Sequence, residues 1–507
     1  MIVNVQGAWA VDLRFSPGNS APVAYDPEVG AYREGASFDP YRCADEPCIE
    51  LLHNIFEPLV SLAENGRIIP KLAVAWRQLD RRTYRFDLRR NVVFHNGEIF
   101  DAEAVRFSLL RAVDAFGDTA WFPRVAEVKV VDPHTIDVLL DVPDSIFLYR
   151  LASIGLILPP KHFSVVGQDA FGREPIGTGP FKFVRWDSTA RQVHLIANKQ
   201  YWRIGFPNIN KLIYAYMPVE SAFDQLVKGE IDLIRRLNPR RARRFMESGA
   251  GKIIKEWLPQ IVVGSFNLLR TGSPLRDKRV RRAVNLSIDR EHMVRYGALG
   301  NGRLLGGYAL PGDPLDAGLD VYRYSPAVAQ ALLKEAGYDN GLELTMLVDP
   351  QVPPQIENII AVSLARVGVT LLVTRVSESK YLLDLFLPKF SGGAPPSFDI
   401  LLLSMPVGGL GHVANVPMTL LYSKEPNSST IRDIWLDQLY EEALAAPNAL
   451  DDQWREIERY VREQDLLLFG YQERAVFGAK SNLVFKPRTL LTFWDANLQP
   501  DGSREGR

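Results

Sequence analysis

Between Tyr84 and Leu88 the chain alternates, with Tyr84, Phe86 and Leu88 on one side and Arg85 and Asp87 on the other. A period of two predicts a strand half buried against a core. Val92, Val93 and Phe94 form a second short apolar run, which His95-Asn96-Gly97 ends with turn chemistry. Asp101 is placed to cap a helix beginning at Ala102, with Glu103 in its first turn. Val105, Phe107, Ser108, Leu109 and Ala112 continue that helix at its own rhythm.

Other stretches yield to the same reading. Leu51, Ile55, Leu59 and Leu62 repeat at helical spacing from Ile49 to Leu62, with Pro58 set to kink or end that helix. Two alternating runs around Asp132-Pro133-His134 predict a hairpin, which makes His134 a loop residue. Asp277 precedes a helix whose Val280, Val284 and Ile288 share a face, so it is the expected N-cap. Ser325 to Gly337 reads as an amphipathic helix closed by its glycine. Leu342–Val348, Pro354–Val367 and Val369–Val376 then read strand, helix, strand, the series an α/β layer requires. Asp433 to Leu468 holds two helices separated by Pro447-Asn448, and Leu466 to Phe477 is an apolar strand-like run.

A chain of 507 residues is too long for one core and predicts two or three domains. With 59 basic and 60 acidic residues, the balance argues against nucleic acid or an anionic membrane as partner. The run Arg240-Arg241-Ala242-Arg243-Arg244 is read as a solvated helix face. No apolar run approaches the roughly 18 residues that a bilayer needs. Cys43 and Cys48 lack the further ligands of a zinc site and the closer spacing of a CxxC redox motif. A loop-closing disulfide and two unpaired thiols stand as equal alternatives. Residues 1–30 carry neither the basic nor the apolar region of a signal peptide, which fits a removed signal, a different start or a cytoplasmic protein. Neither G-x-S-x-G, HExxH, a Walker loop nor a dinucleotide fingerprint occurs, so no enzyme and no catalytic residue is expected.

The stretch YRFDLRRNVVFHNGEIFDAEAVRFSLLRA resembles the signature of the family-5 extracytoplasmic solute-binding proteins, the dipeptide, oligopeptide and nickel receptors of ABC importers. Further family motifs follow in order over roughly residues 37–490. They include Ser37-Phe38-Asp39-Pro40, Phe56-Glu57-Pro58-Leu59-Val60, Ile176-Gly177-Thr178-Gly179-Pro180-Phe181, SFNLLRTGSPLRDKRVRRAVNLSIDREHMV and Phe398-Asp399-Ile400. The resemblance implies an α/β, two-lobed periplasmic-binding-protein fold of type II. It would be of the large cluster with an extra subdomain, its lobes joined by two hinge segments near 264 and 485. Lobe I is expected over 1–50, 170–263 and 486–507, the subdomain over 51–169 and lobe II over 264–485.

It also implies a receptor that captures a peptide-like or other small polar solute between its lobes and delivers it to a membrane permease. The alternative is a cytoplasmic sensor reusing the fold. Expected partners are the solute and the ABC permease, with no nucleic acid, no cofactor, no metal, a monomeric state and a periplasmic or cell-surface location. Cleft position singles out Phe56, Glu57, Asn267, Met405, His412 and Asn415 as candidate ligand-binding residues. For Glu57 a partly exposed, turn-stabilising role is favoured over ligand contact. His412 has no partner histidine spaced beside it for a transition metal. Family peptide receptors commonly carry a tryptophan, and then an aspartate before proline that pairs with the peptide amino group. Here Met405 or its neighbours replace the tryptophan, and Asn415 or Val416 falls where the aspartate would be. A buried ammonium without a carboxylate is costly. The departure therefore points to a bulkier, neutral or anionic solute.

Overall fold

The computed structural model describes residues 12–26, 31–43, 46–63, 66–116, 122–376, 397–407, 412, 414–424, 430–446, 451–488 and 492–499. Eleven strands form one large sheet: Asp12–Ser16 (β1), Phe181–Asp187 (β2), Gln192–Ala197 (β3), Lys211–Ala215 (β4), Leu233–Ile234 (β5), Lys252–Phe266 (β6), Gly302–Leu304 (β7), Leu342–Val348 (β8), Val369–Arg375 (β9), Ile400–Pro406 (β10) and Leu467–Ala479 (β11). Their order is β2-β3-β4-β1-β5-β11-β6-β10-β8-β9, with β7 on the free side of β11. β1 runs parallel to β4 and β5 at one end of the sheet, and β8 runs parallel to β9 and β10 at the other.

β6 and β11 are long enough to belong to both ends. Lys252–Trp257 pairs with Arg474–Ala479 beside β5, while Ile261–Ser265 pairs with Leu467–Gln472 beside β10. Between these halves three residues of β6, Leu258-Pro259-Gln260, face only Glu473 of β11. Pro259 has no N–H to give the ladder, which favours an irregularity at this point. Gln472 Nε2 reaches the carbonyl of Leu258 at 2.6 Å and Val407 N–H reaches that of Pro259 at 2.8 Å, so the bulged carbonyls remain satisfied.

A separate antiparallel sheet, ordered Ala73–Gln78, Thr83–Leu88, Thr135–Leu140, Val125–Asp132, carries the hairpin and the alternation read from the sequence. Helix Ala102–Phe116 is capped as expected, Asp101 accepting from Ala104 N–H at 3.1 Å. Asp277 likewise caps helix Lys278–Ser287. Four further helices position the site: Phe147–Ile154 (α1), Asn415–Leu420 (α2), Ile434–Ala445 (α3) and Asp451–Glu463 (α4). The helix expected over Ile49–Leu62 spans only Glu46–Leu52, and Val60–Leu62 is a strand paired with Ile68–Pro70. The apolar spacing was that of buried turn residues. Cys43 and Cys48 are joined by a disulfide buried at the start of that short helix.

Glu57 departs most from its reading. It is fully buried instead of partly exposed, and four donors surround it: Lys71 Nζ at 3.0 Å, Thr178 Oγ1 at 3.0 Å, Tyr201 Oη at 2.7 Å and Trp202 Nε1 at 2.8 Å. These come from separate segments, so one carboxylate ties the loop after the first helix to the Gly177–Pro180 turn and to Tyr201-Trp202. A Cβ on Gly177 would lie 2.1 Å from the carbonyl oxygen of Ile55, which is why glycine stands there. Burial pulls the Lys71 ammonium below its ordinary pKa, and Glu57 opposes that shift. Glu57→Gln leaves Lys71 buried without a counter-charge. It is expected to destabilise the protein by about 3 kcal/mol or more, read as a lower urea midpoint at pH 7.

Candidate functional site

In open α/β sheets ligands lie beyond the carboxyl ends of the parallel strands. In this chain those ends carry polar side chains directly after apolar runs. β1 ends at Ser16, and β5 leads into Arg235 and Arg236. β8 leads into Asp349 and Gln351, and β10 carries Ser404 near its end. Arg235 Nη1 meets Glu50 Oε2 at 3.0 Å, both groups being buried. Ser16 Oγ is buried there with no hydrogen-bond partner among the described residues. Opposite, Asp349 accepts from Ser404 N–H at 3.2 Å, and Ser404 Oγ donates to Glu473 Oε2 at 2.8 Å while accepting from Gln260 Nε2 at 3.0 Å. The two groups touch where Arg236 Nη2 donates to Gln351 Oε1 at 2.6 Å. Arg236 holds φ at +68°, an uncommon backbone state for a side-chain-bearing residue.

A second polar cluster lies where α1 meets the segment after β10. Ser145 N–H and Oγ donate to the carbonyls of Leu444 at 2.8 Å and Ala443 at 2.9 Å, capping the C-terminal end of α3. Arg150 Nη1 lies 3.0 Å from Asp144 Oδ2, and its Nη2 is 3.7 Å from the sulfur of Met418. Burial raises the Asp144 pKa, and Arg150 offsets part of that rise. The His412 ring packs edge-on to Tyr149 of α1, at 4.9 Å between centroids, and to Trp454 of α4 at 5.0 Å. Its Nδ1 accepts from Ala414 N–H at 3.1 Å. Burial, and then the Arg150 charge, push the imidazole down to about 3.

Of the six residues singled out from the sequence, the structure brings His412 and Asn415 together, Asn415 N–H donating to the His412 carbonyl at 3.1 Å. Met405 lies on β10 opposite Ile261, with its side chain in the core. Phe56 packs against the Phe171 ring, and Glu57 is enclosed by its four donors. Asn267 spends its amide on the backbone: Nδ2 donates to Phe398 O at 3.0 Å, and Oδ1 accepts from Leu269 and Arg270 N–H. The loop Gly408–Gly411 lies outside the described residues. Ser145, Tyr149, Arg150, Arg236 and Gln351 had not been singled out. Only the strand-end rule, applied to Ile234 and Val348, would have pointed to Arg236 and Gln351. Among the described residues no group of three or more His, Cys, Asp or Glu could hold a metal ion, and no helix is long and apolar enough to cross a membrane.

Two groups of strand ends facing each other across a pair of shared strands define a two-lobed binding protein. The chain belongs to the bacterial extracellular solute-binding proteins, family 5, whose Middle model matches residues 67–402. It is thus a solute-binding receptor of an ABC importer, and the family consists of binding proteins, not enzymes. It is 25% identical over 361 residues, 68% of each chain, to the glutathione-binding protein GsiB of Pectobacterium atrosepticum. It is 25% identical to a dipeptide-binding protein of Pseudomonas aeruginosa, over 88% of this chain and 86% of that one. Among solved structures, the periplasmic binding protein DppA of Helicobacter pylori, in complex with the peptide STSA, superimposes with a TM-score of 0.81 at 19% identity, covering 97% of this chain and 98% of the other. AgaA of Agrobacterium tumefaciens, in complex with agropinic acid, does so with 0.78 at 19% identity, covering 97% and 99%.

Because the Asn267 amide is fully engaged with backbone groups, Asn267→Ala should cost about 1–2 kcal/mol of stability in chemical denaturation and leave solute preference unchanged in a binding panel.

Proposed function

We propose that the solute is neutral or anionic and peptide-like, with its amino group blocked or absent at the end that meets residues 412–420. The observation carrying this reading is the charge of that wall. His412, Asn415, Met418 and Thr419 supply no carboxylate, and Asp144 on the facing wall is already engaged by Arg150. A free ammonium placed there would lose its hydration with no anion to replace it. The relatives' names cover glutathione, dipeptides and agropinic acid; the first two carry a free amino group, so the blocked amino end is read from this chain's own residues and not from its relatives.

The lobe boundaries follow as part of the same reading. We place lobe I over residues 1–50, 170–257 and 474–507, the subdomain over 51–169 and lobe II over 261–472, on either side of the bend. Bending between the lobes is assigned to Leu258–Gln260 and Glu473, where the pairing of β6 and β11 falls out of register. The protein acts as a monomer outside the cytoplasm, where the Cys43–Cys48 disulfide persists.

Two measurements test the reading. In a thermal-shift and calorimetry panel, N-acetylated dipeptides and opine-like acids are expected to raise Tm. At a hundredfold excess over Kd, the stabilisation should be about 2.7 kcal/mol. A free-amino dipeptide that binds more tightly than its N-acetyl derivative would overturn the proposed solute class. For closure, Ser145→Ala removes one hydrogen bond formed only when α1 meets the end of α3. Solute affinity should fall about fivefold by calorimetry, with little change in the Tm of the solute-free protein.

A further inference from the structure

The seam between α1 and the 412–420 segment contains a titratable ring in a position that only its neutral form can hold. His412 Nδ1 accepts the Ala414 N–H, so that nitrogen carries no proton and the other one does. Tyr149 and Trp454 cover the ring from opposite elements, α1 and α4. A second proton would have to enter at Nδ1, directly opposing a backbone N–H that already points at it.

The surrounding charges oppose protonation as well. From α1 the nearest is Arg150, a cation, whose partner Asp144 lies ahead of the same helix. On α4, Glu458 stands one turn beyond Trp454, with its oxygens taken by the N–H groups of Ala309 and Ala317. From α3, the Tyr440 ring packs behind Trp454, 5.6 Å away. From α2 comes Asn415, which is uncharged. Burial and the Arg150 charge are what act on the ring among the described residues, so an imidazolium there would have a like charge beside it and no carboxylate to offset it.

We propose that His412 is a proton-operated release for this seam: its neutral ring lets α1 lie against lobe II, and its protonated ring separates them. This rests on the reading that α1 and the 412–420 segment belong to units that move apart. The imidazole is held down at about 3 in the closed arrangement, against 6.5 for a free one. The separated seam therefore binds a proton that the closed seam excludes. The closed arrangement keeps its full stability above pH 6.5 and loses it progressively as pH falls from there toward 3. Between pH 7.5 and pH 5.0 the seam's opening constant should rise about 30-fold. Any solute held behind the seam would be released in the same proportion.

Hydrogen–deuterium exchange of the full solute-free chain tests this without a ligand, which keeps its failure separate from failure of the solute reading. After correction for intrinsic rates, amides in residues 145–154 and 414–420 should exchange about 30-fold faster at pH 5.0 than at pH 7.5 in the wild type. In His412→Gln and His412→Phe they should be pH-independent, with matching circular dichroism at pH 7.5. Equal acceleration in the variants would assign the effect to another group and overturn the proposal. So would equal protection of the wild type at both pH values, or its absence at both. Should both variants fold poorly, the wild type with labelled histidines decides by NMR. A His412 signal that titrates together with seam exchange supports the proposal, and one that titrates without it sinks it.

Discussion

Two strands set what this molecule can do. β6 and β11 each serve both halves of the large sheet, so the lobes cannot move without deforming them. A regular ladder would resist that bend along its whole length. The ladder here is interrupted chiefly where Leu258-Pro259-Gln260 faces Glu473, with a one-residue bulge at Gly470 between the Val262 and Val263 pairs. Side-chain and loop bonds satisfy the displaced carbonyls, so the interruption is built into the fold and not left as a defect. On the proposed reading bending is confined to these few residues, and the strand ends on either side face each other across them.

Buried polar groups divide by where they sit relative to that bend. Glu57 ties Lys71, Thr178, Tyr201 and Trp202 together, and Asp399 joins Arg270, Ser273 and Thr345. Each network is enclosed and uses its acceptors fully. The polar contacts between the units are of another kind. Arg236–Gln351 is a single exposed bond, Ser145 borrows carbonyls that a helix end leaves over, and Arg150 reaches a thioether. A hydrogen bond of this sort contributes about 1 kcal/mol net. On the proposed lobe reading, the contacts that break when the lobes part are individually weak, while those within a lobe form networks.

The sequence made most of the framework legible, because local chemistry decides local structure. The Thr83–Leu88 alternation, the Asp101 and Asp277 caps, the hairpin at Asp132-Pro133-His134 and the Leu342–Val376 series all stand as read. The helix through Ile55 and Leu59 does not, because tertiary burial imitates helical spacing there. Cys43 and Cys48 show the limit from the other side: their spacing allowed a bond or two thiols, and only the turn that joins them decides.

The site was harder to read for a physical reason. Its members are brought together by chain reversals a hundred or more residues apart, as Ser145 with Ala443 and Arg236 with Gln351. Neither partner carries a local signal. Motif matching pointed to Glu57 and Asn267, and both spend their polar atoms internally. His412 was found for the opposite reason, because the chain departs from its family there. The wall that has Asn415 or Val416 where the family aspartate is expected also holds a buried, neutral imidazole at His412, so a fixed charge is exchanged for one that pH can create. That exchange links what the wall can bind to when it can close.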